Sequence, residues 1–387
     1  MKRYLLAPGP TPIPPEVLQA MALPIIHHRT PEYEALFAEV RQNLRRLFQC
    51  GNEVLIFAAS GTGAMEGAVV NTLSPGDPVI VLRAGRFGER WAQICEAFGV
   101  QVVPVDAPYG KSVDPASVAA ALTQHPACKA VFATHSETST GAVHDIRAIA
   151  GLTREAGALL IVDAITSLGV MDLPMDAWGV DIVVAGSQKA LMLPPGLAFA
   201  ALSDRAWARV PEARLPKFYF NFAKERKAIE KNQSAYTPAV SLVVGLRESL
   251  RLILAEGLPN VFARHAWLAR ATRAGVTALG LTLFAEHPGA ACTAVHAPAG
   301  IDGGAVVKGM RRRGITIAGG QGSMKGEMFR IAHMGYADEF DVLTALGALE
   351  LTLADLGYPV RFGEGLCAAE LALREESAAG ETAGVRG

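Results

Sequence analysis

Short apolar segments alternate with amphipathic helical segments through the first half of the chain, and this alternation limits the fold more than any other feature. Five segments are apolar at every position: residues 54–58, 79–82, 130–133, 158–162 and 182–185. Strands of this kind have both faces buried, which is typical of a parallel sheet with helices on each side. We therefore expect an α/β fold with a mostly parallel sheet, whose functional residues lie at the carboxyl ends of the strands.

The second half of the chain has a different pattern, which indicates a small α+β domain. Short strands near residues 281–284, 293–296, 316–318 and 328–333 are interleaved with helices near 304–313 and 338–356. A proline-rich stretch at the start predicts an extended arm that lies over the site or a partner subunit. We expect four parts: an arm at residues 1–20, a large domain at 21–255, a small domain at 256–365 and a frayed tail at 366–387.

Charge and cysteine content exclude several classes of protein. The 387 residues include 36 basic and 37 acidic side chains, so charge gives no reason to expect nucleic acid or an anionic membrane as a partner. No apolar run approaches the ~20 residues that a membrane-spanning helix needs. Five cysteines are scattered without a Cys-x-x-Cys pair, which is typical of reduced thiols in a cytoplasmic protein.

A glycine-rich turn follows the first apolar strand and begins a helix. Ser60-Gly61-Thr62-Gly63-Ala64 leaves backbone N–H groups free at the helix N-terminus, where the helix dipole favours an anion such as phosphate. The turn is not a P-loop, because no Gly-Lys-Ser/Thr follows. A plain helix start with Thr62 as the capping residue is the alternative interpretation.

Two ionisable residues stand directly after later strands. Asp163 ends the strand at 158–162, where a buried carboxylate needs a partner, although it could also cap a following helix. Lys189 follows the strand at 182–185 and precedes a Pro194-Pro195-Gly196 turn that cannot be regular helix or central strand. A lysine desolvated there has a lowered pKa and can attack a carbonyl, whereas the alternative is an ordinary surface lysine.

Two further polar features need an explanation. Arg330 lies inside the apolar segment at 328–332, where an arginine needs an anionic partner. His135 and Glu137 begin a polar cluster at residues 135–141, and a turn of hydroxyl residues does not account for them. A phosphate site, a carboxylate, a lysine and an isolated arginine are together what a pyridoxal phosphate enzyme requires.

The sequence resembles the class V, fold-type I aminotransferases, in the alanine/serine–glyoxylate branch, from about residue 8 to residue 357. The shared motifs are Pro8-Gly9-Pro10, Ser60-Gly61-Thr62-Gly63-Ala64, Glu137-Thr138-Ser139-Thr140-Gly141, Val162-Asp163-Ala164, Ser187-Gln188-Lys189-Ala190 with Pro194-Pro195-Gly196, and Phe329-Arg330-Ile331. Each motif is weak by itself, but the six in this order are specific. The resemblance implies fold type I, pyridoxal 5'-phosphate as cofactor and transamination.

The resemblance also implies a role for each matching residue. Lys189 matches the Schiff-base lysine that later moves the proton, Asp163 the partner of the pyridinium nitrogen, and Arg330 the clamp for the substrate carboxylate. Thr138 matches the side chain bonded to the ring hydroxyl, and Ile165 would pack on one ring face. The remaining matches are Thr62, Gly63, Ala64 and Gln188 for the phosphate, Phe87 for stacking on the ring, and Gly9 for substrate binding.

Members of this family form homodimers with active sites at the subunit interface. In this chain the segment that would reach the phosphate of the other subunit is Tyr236-Thr237, with Thr237 preferred. Phe87 departs from the tryptophan of the mammalian alanine–glyoxylate enzymes, which leaves the cofactor assignment intact and puts fine substrate specificity in doubt. His135 could touch the cofactor or brace its turn, and bracing is favoured.

The resemblance predicts ping-pong transamination from a small L-amino acid, alanine or serine, to glyoxylate or pyruvate. Aspartate stays an alternative donor, since Arg29 or Arg86 could lie near the mouth of the site, and phosphonate or ureido substrates stay open. Two alternatives differ in class. A cysteine desulfurase or lyase needs a cysteine on a mobile loop, and the loop at 319–326 has none. A non-catalytic subunit of a hydrogenase-type complex is the other, and no cysteine cluster supports it.

Overall fold

The computed structural model describes residues 2–384, and the side chains are described as far as residue 375. A seven-stranded sheet forms its centre, and smaller sheets of two or three strands account for the other strands. The strands are β1 (Tyr4–Leu5), β2 (Val54–Ala59), β3 (Pro78–Arg83), β4 (Gln101–Asp106), β5 (Ala130–Thr134), β6 (Ser136–Glu137), β7 (Ala142–Val143), β8 (Leu159–Asp163), β9 (Ile182–Gly186), β10 (Gly196–Leu202), β11 (Cys292–His296), β12 (Ile315–Thr316), β13 (Ala318–Gly319) and β14 (Met328–Ala332).

Helices cover the sheet and make up much of the second half of the chain. They are α1 (Pro15–Met21), α2 (Pro31–Phe48), α3 (Gly61–Thr72), α4 (Arg86–Ala97), α5 (Pro115–Gln124), α6 (Ile146–Glu155), α7 (Met175–Trp178), α8 (Asp204–Arg209), α9 (Phe222–Ile229), α10 (Val240–Glu256), α11 (Leu258–Ala278), α12 (Gly303–Arg312), α13 (Glu339–Asp355) and α14 (Glu364–Gly384).

The seven-stranded sheet is mostly parallel, as its apolar strands predict. Its order is β2-β10-β9-β8-β5-β3-β4, and β10 alone runs antiparallel to its neighbours β2 and β9. Nearly every residue of the central strands β5, β8 and β9 is buried, because helices pack on both faces. The register pairs Thr134 with Asp163 and Asp163 with Val184, so the ends of these three strands lie side by side.

The carboxyl-terminal part has its own sheet and its own core. Strands β11, β14 and β13 form an antiparallel sheet in the order β11-β14-β13. One set of buried apolar residues runs from Val17 to Val261, and a second extends from Leu268 to Leu373 and includes Leu6. The separation of the cores near residue 261 supports the proposed division into a large and a small domain.

The N-terminal segment joins the two parts of the chain. Its strand β1 pairs in parallel with β12. Leu6 N donates to Thr316 O at 2.8 Å, and Leu6 O accepts a hydrogen bond from Ala332 N at 2.8 Å. The segment then crosses to the large sheet, where Thr11 N donates to Gln188 O at 3.2 Å. Of the two expected positions for the arm, it therefore takes the one over the strand ends of its own chain.

Several elements differ from the sequence predictions. Residues 15–20 of the expected arm belong to helix α1, which Pro15 begins. The expected strand near 281–284 is reduced to a single bridge between Leu283 and Val295. The tail that we expected to fray instead forms α14, and Ala369 and Leu373 pack into the second core. Helix α5 and strand β10 were not predicted.

Candidate active site

Lys189 lies three residues after β9, under the N-terminal segment. Its Nζ donates a hydrogen bond to Pro8 O, and its own carbonyl accepts one from Thr11 Oγ1 at 2.8 Å. Gly9 lies against the lysine side chain, since a Cβ added there would be 2.5 Å from Nζ. A larger residue at position 9 would displace the lysine, which explains the glycine.

Burial changes the protonation of Lys189. Desolvation lowers its pKa to about 8, while nearby Cys292 and Asp163 raise it and Arg330 and Arg90 lower it further. A substantial share of the amine is therefore neutral near pH 8, as a nucleophile or base requires. The alternative of an ordinary surface lysine does not fit this position.

Asp163 ends β8 with its carboxyl group buried. Its Oδ1 accepts a hydrogen bond from Ile165 N at 2.8 Å, so the side chain closes a turn and caps no helix. Burial raises the pKa of Asp163 to about 7, and Glu137 raises it further, while the Ile165 hydrogen bond, Lys189 and Arg90 lower it. A carboxyl group held this way gains from a cationic partner, which a pyridinium nitrogen would be.

The N-terminus of α3 is the predicted anion site. Thr62 does not cap the helix, because its Oγ1 accepts a hydrogen bond from Arg90 Nη1 at 3.2 Å. A Cβ added at Gly61 would lie 2.5 Å from Ile165 Cδ1, and one at Gly63 would lie 2.7 Å from Phe220 Cζ. These two glycines therefore allow the helix end to approach the neighbouring side chains closely. Gly63 N donates to Ser60 O at 2.8 Å, so this N–H group is shared with the turn that begins the helix.

Gln188 faces the same helix end. A Cβ added at Gly186 would lie 3.2 Å from Gln188 Oε1 and 3.4 Å from Gly61 N. The side-chain amide of Gln188 and the N-terminus of α3 therefore both lie next to Gly186. Gln188 Oε1 is buried without a hydrogen-bond partner among the described residues. Backbone N–H groups and the Arg90 guanidinium are donors of the kind that hold a phosphate, whereas Gln188 would have to turn its Nε2 toward the same point to donate.

Phe87 lies in the first turn of α4. The Arg90 guanidinium carbon is 4.8 Å from the Phe87 ring centroid, a cation–π contact. Arg90 thus connects the ring to Thr62, and sequence reasoning missed it. Its position one helical turn after Phe87 was the available signal.

Thr138 and Arg330 come together from the two parts of the chain. Arg330 donates from Nη1 to Thr138 O at 2.7 Å and from Nη2 to Gly319 O at 2.7 Å. Thr138 Oγ1 is 2.5 Å from Thr166 Oγ1, a partner that the sequence did not indicate. The expected anionic partner of Arg330 is therefore replaced by carbonyl oxygens within the described chain, and its charge stays available for a carboxylate.

Cys292 lies much nearer to the site than the sequence suggested. Its Sγ is 4.0 Å from Thr138 O, and its charge state affects both Lys189 and Arg330. The thiol is buried on β11 and burial raises its pKa. It therefore lacks the exposure and the low pKa that mark a nucleophilic cysteine.

Tyr236 and Thr237 lie between α9 and α10. The Tyr236 ring stacks on Tyr219 with centroids 5.1 Å apart, its hydroxyl donates to Phe218 O, and Thr237 is exposed. No described contact joins them to Lys189 within the chain. Their role toward a second subunit stays a prediction.

His135 is buried beside the site. Its backbone N donates to Asp163 O at 2.9 Å, and its ring packs edge-on against Trp178 with centroids 6.4 Å apart. Burial lowers the pKa of His135 to about 4, so the ring is neutral at neutral pH. These contacts favour the bracing role.

The residues at these strand ends fit pyridoxal phosphate: a lysine of lowered pKa, a buried carboxyl group, an anion site at a helix N-terminus and an arginine for a carboxylate. Fold and site together define a pyridoxal phosphate-dependent enzyme of fold type I.

Comparison with known proteins gives the family. Residues 3–339 match the family model described as aminotransferase class-V. The chain belongs to the class V aminotransferases and is a transaminase.

Individual relatives carry different names. A protein named soluble hydrogenase, small subunit, from Synechococcus sp. (strain PCC 6716) is 45% identical and covers 92% of this chain and 94% of its own. An L-aspartate–glyoxylate aminotransferase from Paracoccus denitrificans is 38% identical, and the match covers 97% of this chain and 98% of that protein. A serine–glyoxylate aminotransferase from Hyphomicrobium methylovorum is 40% identical, and the match covers 95% of this chain and 93% of that protein.

A solved structure gives the same fold. The ureidoglycine–glyoxylate aminotransferase from Bacillus subtilis superposes with a TM-score of 0.93 at 31% identity, covering 97% of this chain and 98% of its own. Among the described residues, no helix is long and apolar enough to cross a membrane. No group of three or more His, Cys, Asp or Glu side chains within residues 2–384 is placed to hold a metal ion.

Proposed function

We propose that the enzyme transfers the amino group of a small L-amino acid, alanine or serine, to glyoxylate or pyruvate. The observation that carries this proposal is Arg330, a buried guanidinium fixed by two backbone carbonyls close to Lys189. Three of its five N–H groups are engaged, which leaves two for an α-carboxylate. The serine–glyoxylate relative supports the same pair of substrates.

The partners of Arg29 and Arg86, the two arginines considered for a second carboxylate, favour a small donor. Arg86 pairs with Glu89 at 2.8 Å, and Arg29 donates to Gln233. Each arginine therefore has a partner already, and a donor with a second carboxylate would have to displace one. Aspartate stays the alternative donor, supported by the aspartate–glyoxylate relative, and ureido substrates are supported by the Bacillus enzyme.

The chain's own residues each have a step in the proposed reaction. Arg330 binds the substrate carboxylate and orients the α-carbon toward Lys189. Lys189 Nζ would remove the proton from the substrate α-carbon and pass it to the bound cofactor, and it would carry a proton the opposite way when the 2-oxo acid acceptor is converted. Asp163 holds a negative charge at the buried end of the site, and Thr138 fixes the orientation with its hydroxyl. When bound, pyridoxal phosphate supplies a ring that spreads the charge left by proton removal.

The complete enzyme in this proposal is a cytoplasmic homodimer with shared sites. Thr237 is exposed in the single chain, which supports contact with a second subunit. All five cysteines are free thiols, which supports a reducing compartment. Thr62, Gly63, Ala64 and Gln188 hold the phosphate, and Phe87 and Ile165 pack on the ring.

Absorption spectra of the purified protein test the proposal. We expect a visible band from the lysine-bound cofactor, which L-alanine or L-serine bleaches and glyoxylate restores. Bleaching by L-aspartate alone would select the alternative donor. A band that no amino acid bleaches would contradict transamination of these donors. It would keep the cofactor and move the search to other amines or to a different reaction.

The Lys189→Ala variant is the negative control for this experiment. We expect it to lose the visible band and the bleaching, because no other amine lies in its position, while the far-UV circular dichroism stays unchanged. Sulfide release from L-cysteine, measured in parallel, would revive the desulfurase alternative.

A further inference from the structure

Glu137 is a fully buried carboxyl group that the proposed reaction does not use. It ends β6, one residue before Thr138, and its side chain is 0% exposed. A buried carboxylate requires hydrogen-bond donors for both oxygens, since it has left water entirely.

Each oxygen of Glu137 binds a different part of the site. Oε2 accepts hydrogen bonds from Phe87 N at 3.0 Å and Gly88 N at 3.1 Å, in the first turn of α4. Oε1 accepts from Ser139 N at 3.1 Å and from Ser139 Oγ, in the loop after β6. Three of the four contacts are backbone N–H donors and the Ser139 hydroxyl can donate too, so they fit an ionised carboxylate. Burial raises the pKa of Glu137, and the hydrogen bonds from Ser139, Gly88 and Phe87 oppose that rise.

The chain entering α4 is shaped around this side chain. A Cβ added at Gly85 would lie 2.4 Å from Glu137 Cδ and 2.6 Å from Ser139 Oγ. Only glycine therefore allows the backbone to lie flat against the carboxyl group. Arg86 N adds a second link, because it donates to Ser139 Oγ at 3.1 Å.

The two anchored parts carry different contacts to the cofactor and the substrate. The first turn of α4 holds Phe87, whose ring is assigned to stacking. The loop after β6 holds Thr138, whose hydroxyl is assigned to the ring hydroxyl and whose carbonyl anchors Arg330 at 2.7 Å. No side chain other than Glu137 and Ser139 is described as bonding both parts.

We propose that Glu137 is a positioning residue that fixes the distance between Phe87 and Thr138, and through Thr138 the placement of Arg330. The inference rests on the proposed roles of Phe87 and Thr138. Each carboxylate oxygen holds one side of the cofactor site, so the spacing between them is set by a single rigid group.

Glu137→Gln tests the bridge while keeping its shape. Its NH₂ group would face two donors, either the α4 amides or Ser139, so one half of the bridge is lost. We expect pyridoxal phosphate to bind at least about tenfold more weakly, and the visible circular dichroism of the bound cofactor to change. KM for the amino donor should rise more than kcat falls, because Arg330 loses its fixed position.

Glu350→Gln is the control. Glu350 is also buried and accepts from Gly363 N at 2.9 Å and Gly365 N at 3.0 Å, but it lies in α13, where it contacts the start of α14 outside the site. It should lower the melting temperature and leave the cofactor dissociation constant and its dichroism unchanged. If Glu137→Gln behaves in the same way as Glu350→Gln, the positioning role is overturned.

Ser139→Ala covers the case in which Glu137→Gln does not fold. It removes one donor from one side of the bridge, so we expect a smaller change of the same sign in the dichroism and the cofactor dissociation constant. No change in either quantity would overturn the bridge. If Phe87→Leu and Thr138→Val leave cofactor binding unchanged, the proposed roles of those residues fail, whatever Glu137 does.

Discussion

Two titrating residues of the site are moved toward neutral pH by the same physical cause. Desolvation raises the pKa of Asp163 to about 7 and lowers that of Lys189 to about 8. Each shift means that the folded protein without cofactor holds a group in an environment that disfavours its charge. The site therefore costs stability until a ligand supplies the missing charge partner.

Asp163→Asn should stabilise the protein without cofactor at pH 8. The folded-state pKa of Asp163 lies above its unfolded value, so the wild-type carboxyl group destabilises the fold increasingly as pH rises from about 4 to about 7. The asparagine removes this penalty and keeps the acceptor for Ile165 N. We expect a higher melting temperature at pH 8, a smaller gain at pH 5 and none near pH 4.

The same substitution should reduce turnover by about a hundredfold or more, because the cofactor nitrogen loses its charged partner. Melting curves across this pH range and steady-state kinetics measure the two effects. A lower melting temperature at pH 8 would contradict the assigned cause.

At this scale the sequence is enough to single out isolated candidate residues, whose roles stay predictions. Lys189, Asp163 and Arg330 stand out because each is a charged residue at or in an apolar strand. The proximity of Cys292 to Thr138, and of Thr166 to Thr138, depends on contacts between distant segments. No local pattern reports such contacts.

Among the elements, α3 shows how a helix end is used. Its N-terminus is not capped by a side chain, and its glycines allow close approach to Ile165 and Phe220. The free N–H groups would otherwise be satisfied by a capping side chain. We infer that the N-terminus of α3 is kept open for an anion.

Gly61→Ala should weaken cofactor binding. Its Cβ would lie 2.5 Å from Ile165 Cδ1, so Ile165 must move from its position beside Asp163. We expect the dissociation constant of pyridoxal phosphate to rise about tenfold, because both the ring face and the helix end shift. Equilibrium titration of the visible band measures it.

Gly151→Ala is the matched control. Gly151 is exposed in α6, and nothing lies within 4 Å of an added Cβ. Alanine there should raise the free energy of unfolding by about 0.4–1 kcal/mol and leave cofactor binding unchanged. Equal cofactor affinity in both variants would contradict the role of Gly61.

Periodicity predicted most elements, and the misses have physical reasons. Strand β10 (Gly-Leu-Ala-Phe-Ala-Ala-Leu) is rich in alanine and follows two prolines, and it runs antiparallel in a sheet that the other strands make parallel. Helix α5 is similarly rich in alanine, so its apolar face is hard to recognise, although Asp114 caps it and Pro115 begins it. Residues 281–284 have the apolar pattern of a strand and lie along the edge of β11 that β14 leaves open, but they pair there only through the bridge between Leu283 and Val295.

Across the whole molecule, the N-terminal segment connects the two cores through the site. Leu6 is 4% exposed in the second core, and five residues later, at Thr11, the segment reaches the backbone next to Lys189. The sequence predicted an arm over the site, but it could not show the pairing of β1 with β12, since more than 300 residues separate the two strands.

Leu6→Ala should loosen both parts of this connection. Truncating a buried leucine to alanine typically lowers the free energy of unfolding by about 2–5 kcal/mol. Here the lost packing lies where the N-terminal segment pairs with β12 and β14. We expect faster amide hydrogen exchange at residues 315–332 and at residues 9–11. Leu351→Ala, at a side chain that is 50% exposed, is the control and should leave these rates unchanged. Unchanged exchange in the Leu6 variant would contradict the connection.

The pairing of β1 with β12 also sets an order of events during synthesis. A growing chain emerges from its N-terminus, and large-domain strands can pair as they appear. Strand β1 has no partner until residues 315–316 have been made, and Leu6 O has none until residue 332. The residues of β1 are therefore made long before their partners, and the segment over the lysine site is held at both ends only after residue 332 has been made.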